Sequence, residues 1–186
     1  MNTFAYHTTI TKSYSFPDLF EDLAVTATFS DFAEICQLFQ SAADYYRSRG
    51  IKQWNKGYDL EKIYHNISKG EAFIVRNESG VLLCTFAISK KLPNYYPEHL
   101  TIESNIWIVK SLCKNLQEKN SIAEKIIIKI IKNAVDNYIN KIYLDCVMDN
   151  QILERYYQKY GFKRIAIVEH PKYEQNMAVM ALNIKE

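Results

Sequence analysis

The order in which the apolar residues change their spacing constrains this chain's fold more than any other feature. Leu23 to Phe29 alternates apolar and small polar residues, as a strand does. Helical spacing follows in Phe32, Ile35, Cys36, Phe39, Ala42, Ala43 and Tyr46, and again in Leu60, Ile63, Tyr64 and Ile67. Ser30-Asp31 offers an N-cap to the first helix, with Glu34 in its opening turn, and the helix stops near Gly50. Asp59 starts the second, and Gly70 ends it. Glu71 to Arg76 and Val81 to Ser89 alternate about the turn Asn77-Glu78-Ser79-Gly80 and predict a hairpin. Pro93, Asn94 and Pro97 mark 90–100 as an exposed loop, and 101–113 resumes strand character. From Ile122 the residues Ile126, Ile127, Ile130, Ile131, Ala134 and Tyr138 form a helical stripe, with Lys125, Lys129 and Lys132 opposite. A strand over 141–148, a helix over 150–160 closed by Gly161, and strands over 162–168 and 176–184 complete the chain. The order βααβββαβαββ, with a strand-helix-strand passage in its second half, predicts an α/β fold. Its sheet is mixed but mostly antiparallel, with helices on both faces.

The 186 residues suit one domain, and no repeat or Pro/Gly-rich linker divides them. Residues 23–186 form that domain. Residues 1–22, with Phe4, Tyr6, Ile10, Tyr14, Phe16 and Phe20, are an amino-terminal extension too aromatic to stay solvated. It packs on the same domain, where it suits a lid over a pocket, or on a second copy in a homodimer. Lys plus Arg 23 against Asp plus Glu 21 leaves +2, too near balance for a nucleic-acid or anionic-membrane surface. Cys36, Cys84, Cys113 and Cys146 lie far apart in apolar surroundings with no CxxC pair, as buried reduced thiols do. His7, His65 and His170 show no metal-ligand spacing, so no metal is expected. No signal-peptide pattern and no run of ~18 apolar residues is present, and a cytoplasmic protein is the expectation. The common phosphate-loop, dinucleotide, serine-hydrolase and zinc-protease motifs are absent.

The segment Leu144-Asp145-Cys146-Val147-Met148-Asp149-Asn150, followed by Leu153, Tyr156, Tyr157, Lys159, Gly161 and Phe162, resembles the GCN5-related N-acetyltransferases. The resemblance lies in a strand ending in asparagine and a helix with tyrosine four residues before Gly-Phe. With the element order it spans about residues 23–184. Gly50, Ile51, Gln53 and Trp54 also resemble a segment of many bacterial members. The resemblance implies an acyl-CoA acyltransferase fold and an acetyl-CoA-dependent transfer to a small-molecule or peptide amine.

Such a transfer needs a neutral amine, donors for the oxyanion, and an acid for the departing thiolate. The resemblance assigns the acid to Tyr157, a phenol with a proton to give at neutral pH. It assigns a hydrogen bond to the pantetheine arm to Asn150, and main-chain bonds to Leu112 and Cys113. Cys113 itself reads as a packing thiol. The pyrophosphate loop aligns with Glu118-Lys119-Asn120-Ser121-Ile122-Ala123. Glu118 stands where the family has glutamine or arginine, and Ser121 where it has glycine, while Lys119 and Lys125 offer compensating charge. Glu103 and His99 are the candidate general bases, directly or through water. Trp54, Tyr58, Tyr95 and Tyr96 are candidate walls of the acceptor pocket, able to stack on a cation. The departure in the phosphate loop leaves a second class open, a non-catalytic acyl-CoA-binding or regulatory module.

Overall fold

The structure is a computed structural model that describes residues 16–54, 56–102 and 104–184. Its elements run β1 (Val25–Thr26), α1 (Phe32–Arg47), α2 (Leu60–Ser68), β2 (Ala72–Arg76), β3 (Leu82–Ser89), β4 (Ile106–Lys114), α3 (Ile122–Asp136), β5 (Lys141–Val147), α4 (Gln151–Gln158), β6 (Lys163–His170) and β7 (Gln175–Asn183). This is the expected order. The seven strands form one sheet, β1-β2-β3-β4-β5-β7-β6. Every neighbouring pair is antiparallel except β4 and β5, which α3 joins as a crossover.

Strand alternation divides the core between the two faces. Phe73 and Val75 of β2 join a cluster with Ile126, Ile127, Ile130 and Tyr157, so α3 and α4 cover that face. Ala72 and Ile74 join Ile35, Phe39, Ile63 and Ile67 of α1 and α2 on the other. A third cluster, with Tyr96, Ile108, Tyr143 and Val179, lies beyond α1 and α2. Phe20 is fully buried between Phe73 and Phe86, with ring centroids 5.1 and 5.3 Å away. Asn133 on α3 donates to the Leu19 carbonyl at 2.6 Å, and Lys129 pairs with Asp22 at 2.7 Å. The segment from Phe16 to Ala24 is thus strapped across α3. The remaining residues of the expected extension, 1–15, lie outside the described residues.

Local differences from expectation have local causes. The expected strand over 23–29 shrinks to two residues because Thr28, Ser30 and Asp31 bond to one another and turn the chain into α1. Ser104 lies outside any strand and Thr101–Ile102 ends a 3-10 turn, so β4 starts at Ile106 rather than 101. Tyr138 lies beyond the end of α3, at positive φ and 74% exposed, instead of completing the apolar stripe. The four cysteines are free thiols, and Cys36 is only half-buried. Among the described residues no helix is long and apolar enough to cross a membrane.

Gly161 ends α4 at φ +87°, and a Cβ there would stand 3.1 Å from Leu182 Cδ1. Gly161→Ala therefore combines left-handed strain with a close contact. Thermal or urea unfolding should show a loss of about 1–2 kcal/mol.

Candidate functional site

The site is built where the parallel pair parts. β4 and β5 pair only at Ile106–Lys141, Trp107–Ile142 and Ile108–Tyr143. Beyond these rungs β4 stays bonded to β3 as far as Lys114, and β5 to β7 as far as Val147. Each strand is held on its outer side, and the two diverge on their inner sides. The inner backbone edge of β4 then has no strand partner, the arrangement that accepts an extended ligand as an added strand.

A bulge sits at this fork. Thr85 faces Cys113 and Ala87 faces Lys110, so Ser111 and Leu112 together oppose Phe86. Ser111 takes φ +57°, a left-handed geometry uncommon outside glycine. The extra residue reverses which side chains face which layer. Trp107 and Val109 point to the α3 side before it, and Cys113 points to the α1 and α2 side after it. The Cys113 thiol is buried against the Leu38 carbonyl at 3.9 Å, and burial pushes its pKa well up. It is a packing thiol, as expected. Leu112 is half-buried against the α3-side core.

On the α3 side, Tyr157 is 4% exposed and packs edge-on to Phe162 at 6.0 Å. Among the described residues no hydrogen bond holds its hydroxyl. Burial, then the nearby Cys146, Tyr156, Tyr46 and Asp145, pushes its pKa well up. The phenol stays neutral and keeps a proton to donate. Asn150 caps α4, its Oδ1 accepting from the Leu153 amide at 3.2 Å. Its Nδ2 is buried with no partner. A buried donor left unpaired costs about 1–3 kcal/mol, and an amide carbonyl of a pantetheine arm would satisfy it. These two groups fit such a cofactor.

Ser121 is the N-cap of α3, and Lys125 is the first amide bonded back to it. Asn120 Oδ1 takes the Ile122 amide at 3.1 Å, which leaves the amides of Ala123 and Glu124 for an anion at the helix start. Glu118 is half-buried, Lys119 and Lys125 are exposed, and Glu124 adds a second carboxylate to the first turn. The backbone of the phosphate loop is suited to an anion, whereas its nearest acidic side chains are not.

On the α1 and α2 side, two polar groupings flank the fork. Tyr58 hydrogen bonds Ser111 Oγ, which Asn66 Nδ2 also reaches at 3.4 Å. Lys110 Nζ continues the chain to Asn66 Oδ1 at 3.2 Å and Glu71 Oε2 at 2.9 Å. Across the fork, Asp145 Oδ2 accepts from Tyr95 at 2.7 Å and Tyr96 at 3.0 Å. The Tyr95 ring lies 4.6 Å from His170, whose Nε2 is 3.1 Å from Lys62 Nζ. Of the expected pocket residues, Tyr58, Tyr95 and Tyr96 thus converge beside the fork. Trp54 is held against Phe39, Tyr46 and Tyr58 at 5.0, 6.0 and 5.7 Å, an anchor for the loop before α2.

His99 is exposed on the turn leading into the paired end of β4 and makes no bond to the Asp145 grouping. Glu103 lies outside the described residues. Asp145, Lys62, Lys110, Ser111 and His170 are not among the expected site residues. One signal was available for Asp145, a lone charge inside the otherwise apolar strand Ile142 to Val147. The others come together only through tertiary contacts.

Among the described residues no cluster of His, Cys, Asp and Glu could hold a metal ion. Two surface hollows of about 310 and 680 Å³ contain neither Tyr157, Asp145 nor Ser111.

No protein-family model matches the sequence, and no curated protein matches it. Solved structures do match in fold. A GNAT-family acetyltransferase of Listeria monocytogenes is similar at TM-score 0.69 and 21% identity, over 87% of this chain and 94% of that one. One of Streptococcus agalactiae is similar at TM-score 0.72 and 17% identity, over 88% and 95%. The YncA protein of Salmonella typhimurium, solved with its cofactor acetyl-CoA, is similar at TM-score 0.61 and 13% identity, over 88% and 94%. The fold expected from the sequence, that of the GCN5-related N-acetyltransferases, is the fold observed.

Proposed function

We propose that this chain, with its GNAT acetyltransferase fold, is an acetyl-CoA-dependent N-acetyltransferase that transfers directly to a primary amine in a ternary complex. The observation that carries the reading is the fork of β4 and β5, with Tyr157 and Leu112 in the core on its α3 side. Acetyl-CoA, when bound, supplies an activated acetyl group on sulfur. The inner edge of β4 and Asn150 Nδ2 bind the pantetheine arm, and the amides at the start of α3 take the pyrophosphate. An amide near Cys113 steadies the oxyanion. Tyr157 donates its proton to the departing sulfur. The acceptor amine enters from the α1 and α2 side, between Tyr58, Tyr95 and Tyr96, and gives its proton to water, Glu103 or His99. The four free thiols suit a reducing, cytoplasmic setting.

A second reading, an acyl-CoA-binding module without turnover, is favoured by one observation. Glu118 and Glu124 flank the α3 anion site, and no glycine opens it. Titration calorimetry with acetyl-CoA, followed by thiol release over a panel of amines, separates the two. We expect saturable binding with amine-dependent thiol release. Binding without release to any amine would establish the module, and absence of binding would remove both readings.

A further inference from the structure

Two opposite charges occupy the first open position of the fork, one on each strand, and they do not pair. The last rung joins Ile108 of β4 to Tyr143 of β5. Lys110 and Asp145 each lie two residues beyond it, about 6–7 Å further along their strands. Asp145 is on the acceptor side, because it pairs with Val179, which shares a cluster with Tyr143, Ile108 and Tyr96. Lys110 is on the same side and turns away to Glu71 at 2.9 Å and Asn66 at 3.2 Å. In the transfer reading the pyrophosphate sits at the start of α3, past the open end of β4. An arm laid along β4 from there brings its acyl end toward the last rung, and so toward Asp145.

Asp145 is half-buried, and the groups around it leave it uncompensated. Its Oδ2 accepts from the Tyr95 hydroxyl at 2.7 Å and the Tyr96 hydroxyl at 3.0 Å. Among the described residues Oδ1 takes no hydrogen bond, and neither oxygen has a cation within ion-pair distance. Lys172 is held by Asp59 at 2.8 Å, and Lys62, 6.0 Å from the Tyr95 ring centroid, contacts His170 instead. A part-buried carboxylate ordinarily has a cation beside it. Here two neutral phenols occupy one oxygen and leave the other for a ligand. An ammonium brings both the missing charge and three N–H donors.

We propose that Asp145 Oδ1 binds the ammonium of the acceptor, with Tyr95 and Tyr96 as its positioning residues, and that the substrate class is an amine with no carboxylate on its amine-bearing carbon. The inference rests on the acetyl-transfer reading above. An ammonium seated on Oδ1 brings the carbon that bears it close to Asp145, together with any group on that carbon. A carboxylate there meets a like charge at short range in a part-buried site, where the repulsion is poorly screened. Lys110, across the fork, does not offset it, because Glu71 already takes its charge. Simple amines are therefore accepted, and the α-amine of a free amino acid is rejected.

The test uses the full chain, acetyl-CoA and pairs of acceptors that differ only by that carboxylate: tyramine and tyrosine, histamine and histidine, agmatine and arginine. Thiol release gives kcat/KM for each. The amine of a pair should be preferred by about tenfold or more, and in Asp145→Asn the preference should fall to about threefold or less. Asparagine keeps an oxygen for the two phenols, so the fold is retained while the charge is lost. The loss should appear in the KM for the amine, with acetyl-CoA affinity unchanged by calorimetry. Asp145→Glu should recover part of the preference, and Tyr95→Phe with Tyr96→Phe should raise the amine KM with the charge still present. Thiol release with no preference, preference for the amino acids, or an Asp145→Asn protein as selective as the parent would each overturn the proposal. Acetyl-CoA binding without release to any amine would instead remove the transfer reading and this inference with it, so the two failures are distinguishable.

Discussion

Replacing Tyr157 by Phe should lower amine-dependent thiol release by about 100-fold or more, the range for losing a positioned acid. Acetyl-CoA affinity should change by less than about fivefold, or ~1 kcal/mol. The split follows from the environment of the hydroxyl. Among the described residues it has no hydrogen-bond partner, so its removal breaks no bond that holds the fold, and the ring keeps its contact with Phe162. A phenol kept neutral by burial donates as negative charge builds on sulfur, and that charge is present only as the C–S bond breaks. The effect therefore falls on turnover. Stopped-flow or steady-state thiol release beside calorimetry measures both quantities, and turnover equal to that of the parent protein would remove Tyr157 from the mechanism.

Trp107→Ala should cost about 3–5 kcal/mol of stability, the range for truncating a large buried aromatic. Trp107 is 2% exposed, pairs with Ile142 on the middle rung of the closed end of the fork, and meets the Phe16 ring at 5.7 Å. Its removal leaves a void between β4, β5 and the strap crossing α3. Trp107→Phe retains most of the area and should lose much less. Its indole N–H is buried without a partner, so deleting that group costs no hydrogen bond. Urea unfolding of both variants measures the difference. Equal losses would show that the indole's shape rather than its area holds the closed end.

The fold was readable because it depends on period and punctuation. Phe32 to Tyr46, Ile122 to Ala134 and the hairpin about Gly80 each carry a spacing that only one secondary structure can bury, and their order leaves few sheets to build. Boundaries were less readable where short polar side chains competed with the sheet. Thr28, Ser30 and Asp31 shortened β1, and Tyr138 fell outside α3. Of the candidate site, Tyr157 and Asn150 were picked out by fixed offsets from Gly161-Phe162, and the structure puts Tyr58, Tyr95 and Tyr96 beside the fork. Trp54 was ambiguous because an aromatic residue in a loop serves equally to wall a pocket or to anchor the loop. Its three ring contacts hold the loop before α2.

The sequence by itself determined the elements, their order, the two-faced core and the offset of Tyr157 from Gly161. Each depends on residues close together in the chain, whose spacing either buries a face or does not. Only the tertiary structure decided where β4 and β5 part, which way Ser111 turns the strand, and which charges meet at the mouth. Lys62 meets His170 across 108 residues, Tyr95 meets Asp145 across 50, and Tyr58 meets Ser111 across 53. No local pattern encodes such pairs, because each side chain is polar and locally unexceptional until packing excludes water and leaves it one partner.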